Sequence, residues 1–271
     1  MKKLLIPTFL FGSLLATQAQ STITAWTFDN NGIGANASPA PSTGSGTAAA
    51  LGMNNSYNNT NSISNPDILS SAGSSTPALP DAWRVRGNGA APNAGNGWSS
   101  QAPIGTQGAQ FLASTVGFNN IQIAFDIDTT AQAEANLELL YTINGTTWIN
   151  ATLTSAGSAG GTLLNNSSSP NTVLGSYIRL SSTAGWNNLI TANLGGISAI
   201  ANDPNFGIEI VNASTGADDL NVAGTAYNNS SGNWRYDNVI ISGTAVPEPS
   251  TLALGGLGLA AIAFFRRNRK A

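Results

Sequence analysis

The sequence predicts an all-β protein whose strands form a sandwich or a barrel, and three observations lead to this. Apolar and polar residues alternate with a period of two along several short runs, the pattern of a half-buried strand. Gly, Asn and Asp recur between these runs as turn residues, and few helix signals interrupt them. Hydrophobic residues make up 41% of the 271-residue chain, which is enough for one packed core.

The first predicted strands follow this pattern. The stretch STITAWTFDNNG alternates apolar and polar residues and ends in a turn-forming Asp-Asn-Asn-Gly. In AWRVRGNG, Trp83 and Val85 share one face and two arginines share the other. In NIQIAFDIDTT, four apolar residues share one face, and Asp126 and Asp128 lie on the opposite face.

The later strands are identified in the same way. Two short runs flank Asn144 and Gly145 in LELLYTINGTTWINATL, which is a strong hairpin signal. SYIRLSS, NFGIEIVNA and NWRYDNVIISG complete the set. Residues 189–201 predict a short helix or a loop with one turn. The Ser/Gly/Ala/Pro-rich segments 35–52 and 70–80 predict long loops within one domain, because neither flank has enough strands for its own core.

Charge is distributed unevenly along the chain. Residues 21–245 contain four arginines, no lysine and twelve Asp and Glu, and the remaining basic residues lie at the two ends. Nucleic acid and anionic lipid are not expected partners of this body, because phosphates need Lys or Arg to replace their counterions. The chain has no Cys and no His, which excludes disulfides, thiolate zinc sites and Ser-His or Cys-His catalysis.

The N-terminal segment, residues 1–19, predicts a signal peptide. MKKLLIPTFLFGSLLATQAQS has two lysines, then an apolar stretch, then small residues at Thr17 and Ala19. This order marks a secretory leader that is cleaved after Ala19. The alternative, a buried N-terminal helix, is disfavoured by Pro7, which would break it.

The C-terminal segment, residues 245–271, combines three features. Pro247, Glu248 and Pro249 precede fifteen uncharged, mostly apolar residues, and a basic end with Arg266 and Arg267 follows. A helix of that length spans about 22 Å at 1.5 Å per residue, whereas a bilayer core is roughly 30 Å thick. We therefore expect a short apolar helix that enters the inner membrane only transiently.

This tail resembles the PEP-CTERM sorting signal of exported proteins in Gram-negative bacteria. The resemblance rests on the tripeptide, the apolar span and the basic end in that order, with a signal peptide at the other terminus. It implies that an exosortase, a membrane transpeptidase, recognises the tail and removes it. A membrane-tethered precursor would then become a protein of the cell surface or extracellular matrix.

The body, residues 20–244, resembles the jelly-roll ectodomain common among PEP-CTERM proteins. The similar phrases are AWTFDNN, GTQGAQFLASTVGFNNIQIAFDI, LLYTINGTTW and WRYDNVIISG. The resemblance implies a single jelly-roll-like antiparallel β-sandwich in a surface or matrix location. It implies no defined reaction.

Paired aspartates are candidate ligands for a structural Ca²⁺, the one cofactor considered. Asp126 and Asp128 lie on one face of a strand. Asp29 closes the first strand and Asp237 lies in the last, and these terminal strands are neighbours in a jelly roll. Oxygen ligands of this kind suit Ca²⁺. The alternatives are a solvent-facing strand edge for the first pair, and for the second a pairing of Asp237 with Arg235.

Three tryptophans are candidates for stacking on sugar rings, because exposed aromatic side chains pack against apolar C–H faces. Trp98, Trp148 and Trp186 all occur in loop-like stretches, and packing in the core is the alternative for each. Glu134 and Glu138 are expected to be solvated.

These observations lead to one main hypothesis and two alternatives. The main hypothesis is an exported, exosortase-sorted, non-enzymatic protein associated with exopolysaccharide at the cell surface or in the extracellular matrix. The alternatives are a carbohydrate-binding module and a carboxylate-dependent hydrolase, in which two carboxylates would face each other across a cleft. The carboxylates considered for such a hydrolase are Asp126, Asp128, Glu134, Glu138, Glu209, Asp218 and Asp219.

Overall fold

Two large antiparallel sheets make up the body of the protein. The computed structural model describes residues 19–28, 39–57, 82–86, 98–158, 161–165, 169–181, 186–226, 228–229 and 232–247, with residues 255–256, 258–259, 262 and 265–266 of the tail. The strands along these residues are β1 (Gln20–Trp26), β2 (Thr47–Leu51), β3 (Asn54–Tyr57), β4 (Trp83–Arg86), β5 (Trp98–Ser99), β6 (Gly108–Leu112), β7 (Phe118–Thr129), β8 (Asn136–Thr142), β9 (Trp148–Asn150), β10 (Leu153–Ala156), β11 (Gly161–Asn165), β12 (Ser176–Leu180), β13 (Asn187–Asn193), β14 (Gly207–Asn212), β15 (Asn228–Asn229) and β16 (Asn233–Ala245).

Each large sheet contains seven of these strands, and all the pairs are antiparallel. Sheet A has the order β10-β13-β7-β16-β4-β3, and β1 pairs with β16 beyond the end of β4. Sheet B has the order β11-β12-β8-β14-β6-β2, and β9 pairs with β8 beyond the end of β12. The short strands β5 and β15 pair with each other. The all-β architecture predicted from the alternating pattern is thus confirmed.

The strand pairs are nested in sequence. In sheet B, β8 pairs with β12 and β6 with β14. In sheet A, β7 pairs with β13, and β16 pairs with both β1 and β4. Moving outward from the connection between β8 and β12, successive pairs therefore alternate between the two sheets. The chain behaves as one long antiparallel ribbon that is folded over itself.

The core lies between the inner faces of the two sheets. Aromatic rings form one part of it, where Trp26, Trp83, Phe111 and Tyr236 contact one another with ring centroids 5.1–5.9 Å apart. Isoleucines and leucines of β7, β8 and β14 form much of the rest. Because successive side chains of a strand point to opposite faces, the polar residues of β7 and β16 lie on the outer face of sheet A.

Some local expectations are confirmed by the structure. Asn144 and Gly145 lie in the loop that joins β8 to β9, and Gly145 has a φ of +74°, a conformation that glycine adopts without strain. Trp83 and Val85 are fully buried, whereas Arg86 on the other face of β4 is exposed.

Two other expectations about local structure are wrong. Residues 189–201 were expected to form a helix or loop, but β13 runs to Asn193, and only Ser198–Ile200 form a 3₁₀ turn. A β-bulge in β13 interrupts the alternation that would have marked the strand. Strand β2 lies within segment 35–52, which the sequence predicts to be a loop. The strand forms because its full pairing with β6 satisfies the backbone of this Ala-rich stretch.

Candidate functional site

The C-terminal tail begins where the last strand of the sandwich ends. Strand β16 ends at Ala245, and the Val246 N–H donates a hydrogen bond to the carbonyl oxygen of Gly117 at 2.8 Å. The side chains of Val246 and Pro247 are exposed. The chain thus passes from a paired central strand into the tail within two residues.

The tail itself is described at only a few positions. Residues 255–256, 258–259, 262 and 265–266 are helical and exposed, and Arg266 of the predicted sorting residues is among them. Glu248, Pro249 and Arg267 lie outside the described residues, as do residues 1–18 of the predicted signal peptide. Over the part of the chain that the structure describes, no helix is both long and apolar enough to cross a bilayer.

Three buried polar residues occupy neighbouring register positions on three adjacent strands of sheet A, and we call them the aspartate row: Asn188 of β13, Asp126 of β7 and Asp237 of β16. Asp126 and Asp237 are directly opposite each other in the ladder between β7 and β16. Asn188 comes level with Asp126 on its other side, because Asn187 is opposite Ile127. All three members of the row are at most 3% exposed. Three adjacent strands therefore place two buried aspartates and one buried asparagine at neighbouring positions.

Two β-bulges frame the aspartate row. Strand β13 has an extra residue beside Leu189, whose φ is +62°, and β16 has one beside Asn238, whose φ is +46°. The Leu189 N–H donates to Asp126 Oδ1 at 2.8 Å. Asn238 Nδ2 donates to Asp126 Oδ2 at 2.9 Å and to Asp237 Oδ2 at 3.3 Å. The bulges thus direct donors towards the carboxylates and hold both carboxylates near one atom.

Asp128 is stabilised in a different way. It lies directly opposite Arg235 and accepts a hydrogen bond from the Arg235 guanidinium, and both side chains are buried. Burial raises the pKa of Asp128, and the charge of Arg235 opposes this. The sequence grouped Asp126 with Asp128 and Asp237 with Asp29. The structure places Asp126 opposite Asp237, and Asp29 lies outside the described residues.

The outer face of sheet B carries a second pair of buried carboxylates, Glu138 of β8 and Glu209 of β14. Asn150 Nδ2 donates to Glu138 Oε2 at 2.7 Å, and Gln110 Nε2 donates to Glu209 Oε1 at 2.8 Å. Burial raises the pKa of Glu138 to about 7, with the Asn150 hydrogen bond opposing and the Glu209 charge adding to the rise. Burial also raises the pKa of Glu209, against its hydrogen bond from Gln110. The two carboxylates therefore influence each other electrostatically.

The expectation that Glu134 and Glu138 are solvated is wrong, because they are 0% and 1% exposed. Glu134 Oε1 accepts hydrogen bonds from the Asn136 N–H at 2.6 Å and from Ser214 Oγ at 3.3 Å. A period-two pattern assigns a side chain to a face of the sheet, but loops packed on that face decide whether water reaches it.

The last two carboxylates considered for hydrolysis lie together in the segment after β14. Asp218 accepts hydrogen bonds from Ser169 and Thr172, and Asp219 is fully buried. Asp218 is the last residue of the 3₁₀ turn Gly216–Asp218, Asp219 follows it, and neither belongs to a strand of the two sheets.

The three candidate tryptophans differ in accessibility. Trp98 is fully buried: its Nε1 donates to the Gly232 carbonyl oxygen at 2.9 Å, and its ring centroid is 4.6 Å from that of Trp234. Trp186 is 7% exposed. Neither ring is presented to solvent in this structure. Trp148, at the start of β9, is half-buried, so stacking on a sugar stays a prediction for this residue.

A pocket of about 300 Å³ lies beside the end of sheet B. Its walls come from residues 45–47, 112–114, 145 and 204–206, and none of the candidate catalytic, calcium-binding or sugar-stacking residues contributes to it. In the described residues, no three Asp, Glu, His or Cys side chains form a group that could hold a metal ion. A cation site in this part of the chain would therefore need amide or backbone oxygens in addition to carboxylates.

With this geometry established, the chain can be compared with known proteins. Residues 245–270 match the PEP-CTERM protein-sorting motif. The match begins at the last residue of β16 and continues through the tail. This motif indicates an exported protein whose membrane-anchored precursor is processed by an exosortase and sorted to the cell surface. No curated protein and no solved structure gives a significant match.

Proposed function

We propose that this protein is a non-enzymatic component of the cell surface or extracellular matrix, delivered by its PEP-CTERM tail and associated with exopolysaccharide there. The observation that carries the proposal is the sorting motif at 245–270, which begins at the last residue of β16. An exosortase that acts in this tail would release the sandwich without cutting a paired strand. In this proposal residues 1–19 are the signal peptide, and the mature chain begins near Gln20, the first residue of β1.

We propose further that the sandwich is a jelly roll. The nested pairing of β8 with β12, β7 with β13, β6 with β14 and β16 with β1 and β4 supports this topology. A jelly roll arises when a long antiparallel ribbon is folded so that its strands alternate between two sheets. The alternation between sheets A and B follows that scheme.

The non-enzymatic role is supported by how the buried carboxylates are engaged. Glu138 and Glu209, the pair whose charges are coupled, are at most 4% exposed and each accepts a hydrogen bond from a side-chain amide. A general acid or nucleophile must reach its substrate within about 3 Å, directly or through one water. The pocket beside sheet B is lined by neither residue.

Matrix association requires a surface that can contact polysaccharide. Strand β9 supplies one candidate, since the side chain of Trp148 is half-buried. A partly exposed aromatic ring can pack against the C–H face of a sugar. Binding through this strand would be weak and would not require catalysis.

The sorting proposal is tested by replacing Pro247 and Glu248 with Ala in the full-length protein. We expect the double variant to be exported normally and to retain its tail, because the signal peptide and the sorting tail are separate devices. Intact-mass measurement of protein from membrane and medium fractions gives the answer. The matched control replaces Ser250 and Thr251 with Ala and should be processed as the unaltered protein is. Equal processing in both variants would show that the tripeptide is not recognised.

The non-enzymatic proposal is tested with the full-length protein on polysaccharides and phosphoesters, with and without Ca²⁺. We expect no turnover above the rate without protein, because the coupled carboxylates are buried and hydrogen-bonded to amides. Glu138→Gln and Glu209→Gln are the diagnostic variants. Reproducible turnover that is lost in either variant would replace this proposal with a carboxylate-dependent hydrolase.

A further inference from the structure

We propose that the pocket beside sheet B binds one neutral sugar ring of a polysaccharide chain. This inference rests on the proposed association with exopolysaccharide and names the place on the sandwich where a sugar is held. The pocket has a volume of about 300 Å³, at the lower end of the range for pockets that hold small molecules. A space of this size suits a single ring with its substituents.

The pocket lies where several strands of sheet B begin or end. Its walls come from the segment that enters β2, the end of β6, the residues before β14 and the turn between β8 and β9. Thr47 is opposite Leu112, and Leu112 is opposite Gly207, so three adjacent strands begin or end at one level. A Cβ atom on Gly207 would come within 2.4 Å of Leu112 Cδ2. The Leu112 side chain therefore packs across β14 and gives the pocket an apolar surface.

Hydrogen bonds within the protein hold the walls of the pocket in place. The Ala113 N–H donates to the Phe206 carbonyl oxygen at 3.0 Å, which joins the end of β6 to the start of β14. The turn between β8 and β9 is held by Asn144 Oδ1, which accepts hydrogen bonds from the N–H groups of Thr146 and Thr147 at 2.9 and 2.8 Å. Because the walls are already ordered, binding a ligand costs little conformational entropy.

The lining of the pocket carries no charged side chain. It consists of Ser, Thr, Asn, Gly, Leu, Ala, Pro and Phe, with no Asp, Glu, Lys or Arg. A bound anion is usually held by Lys or Arg, and a bound metal cation by carboxylates. The pocket therefore favours a neutral ligand.

The polar side chains of the pocket are available to such a ligand. Ser45, Thr47 and Asn205 are exposed, and within the part of the chain that the structure describes their side chains make no hydrogen bond to another residue. Hydroxyl and amide groups both donate and accept hydrogen bonds, as the hydroxyl groups of a sugar do. Leu112 and Pro204 add apolar surface that can pack against the C–H face of the ring. The two kinds of surface together match a ring that carries several hydroxyl groups.

Trp148 lies on the same row of sheet B as the pocket. Gly207 is opposite Thr142, and Thr142 is opposite Trp148. Asn150 donates to Glu138 on the outer face of the sheet, so Trp148, two residues earlier in β9, shares that face. The β6 wall of the pocket and β9 are three inter-strand spacings apart, roughly 14 Å. A chain of several sugar rings, unlike a single sugar, can therefore contact both.

The test measures binding of the full-length protein to dextran and mannan, which are neutral, and to alginate, which is anionic, by affinity electrophoresis. We expect a neutral polysaccharide to bind at least about tenfold more tightly than alginate. Gly145 has a φ of +74°, and a Cβ atom added there meets no other atom within 4 Å. Asn tolerates a positive φ better than most residues, so Gly145→Asn should place a side chain in the pocket and weaken binding by about tenfold or more.

Gly224→Asn is the matched control. Gly224 also has a positive φ, of +81°, with open space around an added Cβ atom, but it does not line the pocket. Its variant should bind as tightly as the unaltered protein. Asn205→Ala removes a polar side chain from the pocket and should weaken binding about three- to tenfold. Near-ultraviolet circular dichroism, which reports the buried tryptophans, checks that each variant is folded.

The outcomes separate this inference from the proposed function. If a neutral polysaccharide binds and neither Gly145→Asn nor Asn205→Ala weakens it, the inference is overturned while the association with exopolysaccharide stands. Tighter binding to alginate has the same meaning. Equal weakening by Gly224→Asn would also overturn the inference, because the effect would not be specific to the pocket. Binding to none of the polysaccharides would contradict both this inference and the proposed association.

Discussion

The outer faces of the two sheets both bury carboxylates, and they stabilise them differently. On sheet A, Asp128 is held by the guanidinium of Arg235, and β-bulges direct N–H donors at Asp126. On sheet B, Glu138 and Glu209 each accept one hydrogen bond from a neutral amide, and burial raises the pKa of both. Burial also raises the pKa of Asp128, but on sheet A a guanidinium partner opposes this rise, whereas on sheet B only neutral amides oppose the uptake of a proton. A buried acid needs a partner for its charge or a proton, because an isolated charge in a low-dielectric interior is too costly.

Among the variants that test this comparison, Arg235→Met is expected to change the free energy of unfolding most. The substitution keeps much of the side-chain volume but leaves the Asp128 carboxylate buried without its guanidinium. Breaking a buried ion pair from one side typically costs about 3–5 kcal/mol of unfolding free energy, so we expect a loss of that order in urea unfolding at pH 7.

Two further variants serve as controls for the effect of Arg235→Met. Arg179→Met, on an exposed position of β12, should change the free energy of unfolding by less than about 0.5 kcal/mol. The double variant Arg235→Met with Asp128→Asn should recover part of the loss, because no uncompensated charge is left. A loss below about 1 kcal/mol for Arg235→Met alone would mean that the pair contributes no more than a surface ion pair.

A smaller effect, dependent on pH, is expected from Glu138→Gln on sheet B. Burial raises the pKa of Glu138 from 4.5 to about 7 in the folded protein, so the folded state binds this proton more tightly than the unfolded chain. The stabilisation is present below about pH 4.5 and is lost as the pH rises to about 7. Glu138→Gln should remove this loss, which is on the order of 1–3 kcal/mol. The free energy of unfolding of the variant, relative to that of the unaltered protein, should therefore be higher at pH 8 than at pH 4.5.

Urea unfolding at pH 4.5, 6 and 8 measures this difference. Glu209→Gln sharpens the comparison, because the charge of Glu209 contributes to the raised pKa of Glu138. Removing that charge should move the pH-dependent loss of stability to lower pH. If the free energy of unfolding changes with pH in the same way in Glu138→Gln and in the unaltered protein, the Glu138 carboxylate is solvated when the protein is folded.

The alternation of apolar and polar residues was sufficient to predict the fold class and several strand faces. In β7, the face shared by Ile121, Ile123, Phe125 and Ile127 is buried, as the pattern predicts. The same pattern predicted the face of Asp126 correctly but not its burial. Period-two alternation reports which side of the sheet a residue occupies, whereas exposure depends on segments distant in sequence that cover that side.

The pairing of the aspartates could not be read from the sequence for a related reason. Asp126 and Asp128 are neighbours along one strand, so the sequence suggests that they act together. Their actual neighbours lie 111 and 107 positions away, at Asp237 and Arg235. Register between distant strands depends on bulges, and one extra residue reverses which face each later side chain occupies. The bulge beside Leu189 interrupts the alternation, but such a break predicts a loop equally well and does not give the register.

The all-β class, the sorting tail and the absence of thiol and imidazole chemistry could all be inferred from the amino-acid sequence. These are properties of residue type, local period and local order, and they need no knowledge of distant contacts. The tertiary structure was needed to learn which sheet each strand joins, that Trp98 is in the core, and that Asp126 lies opposite Asp237. Those features arise from non-local strand pairing, in which residues more than a hundred positions apart become neighbours and share one environment.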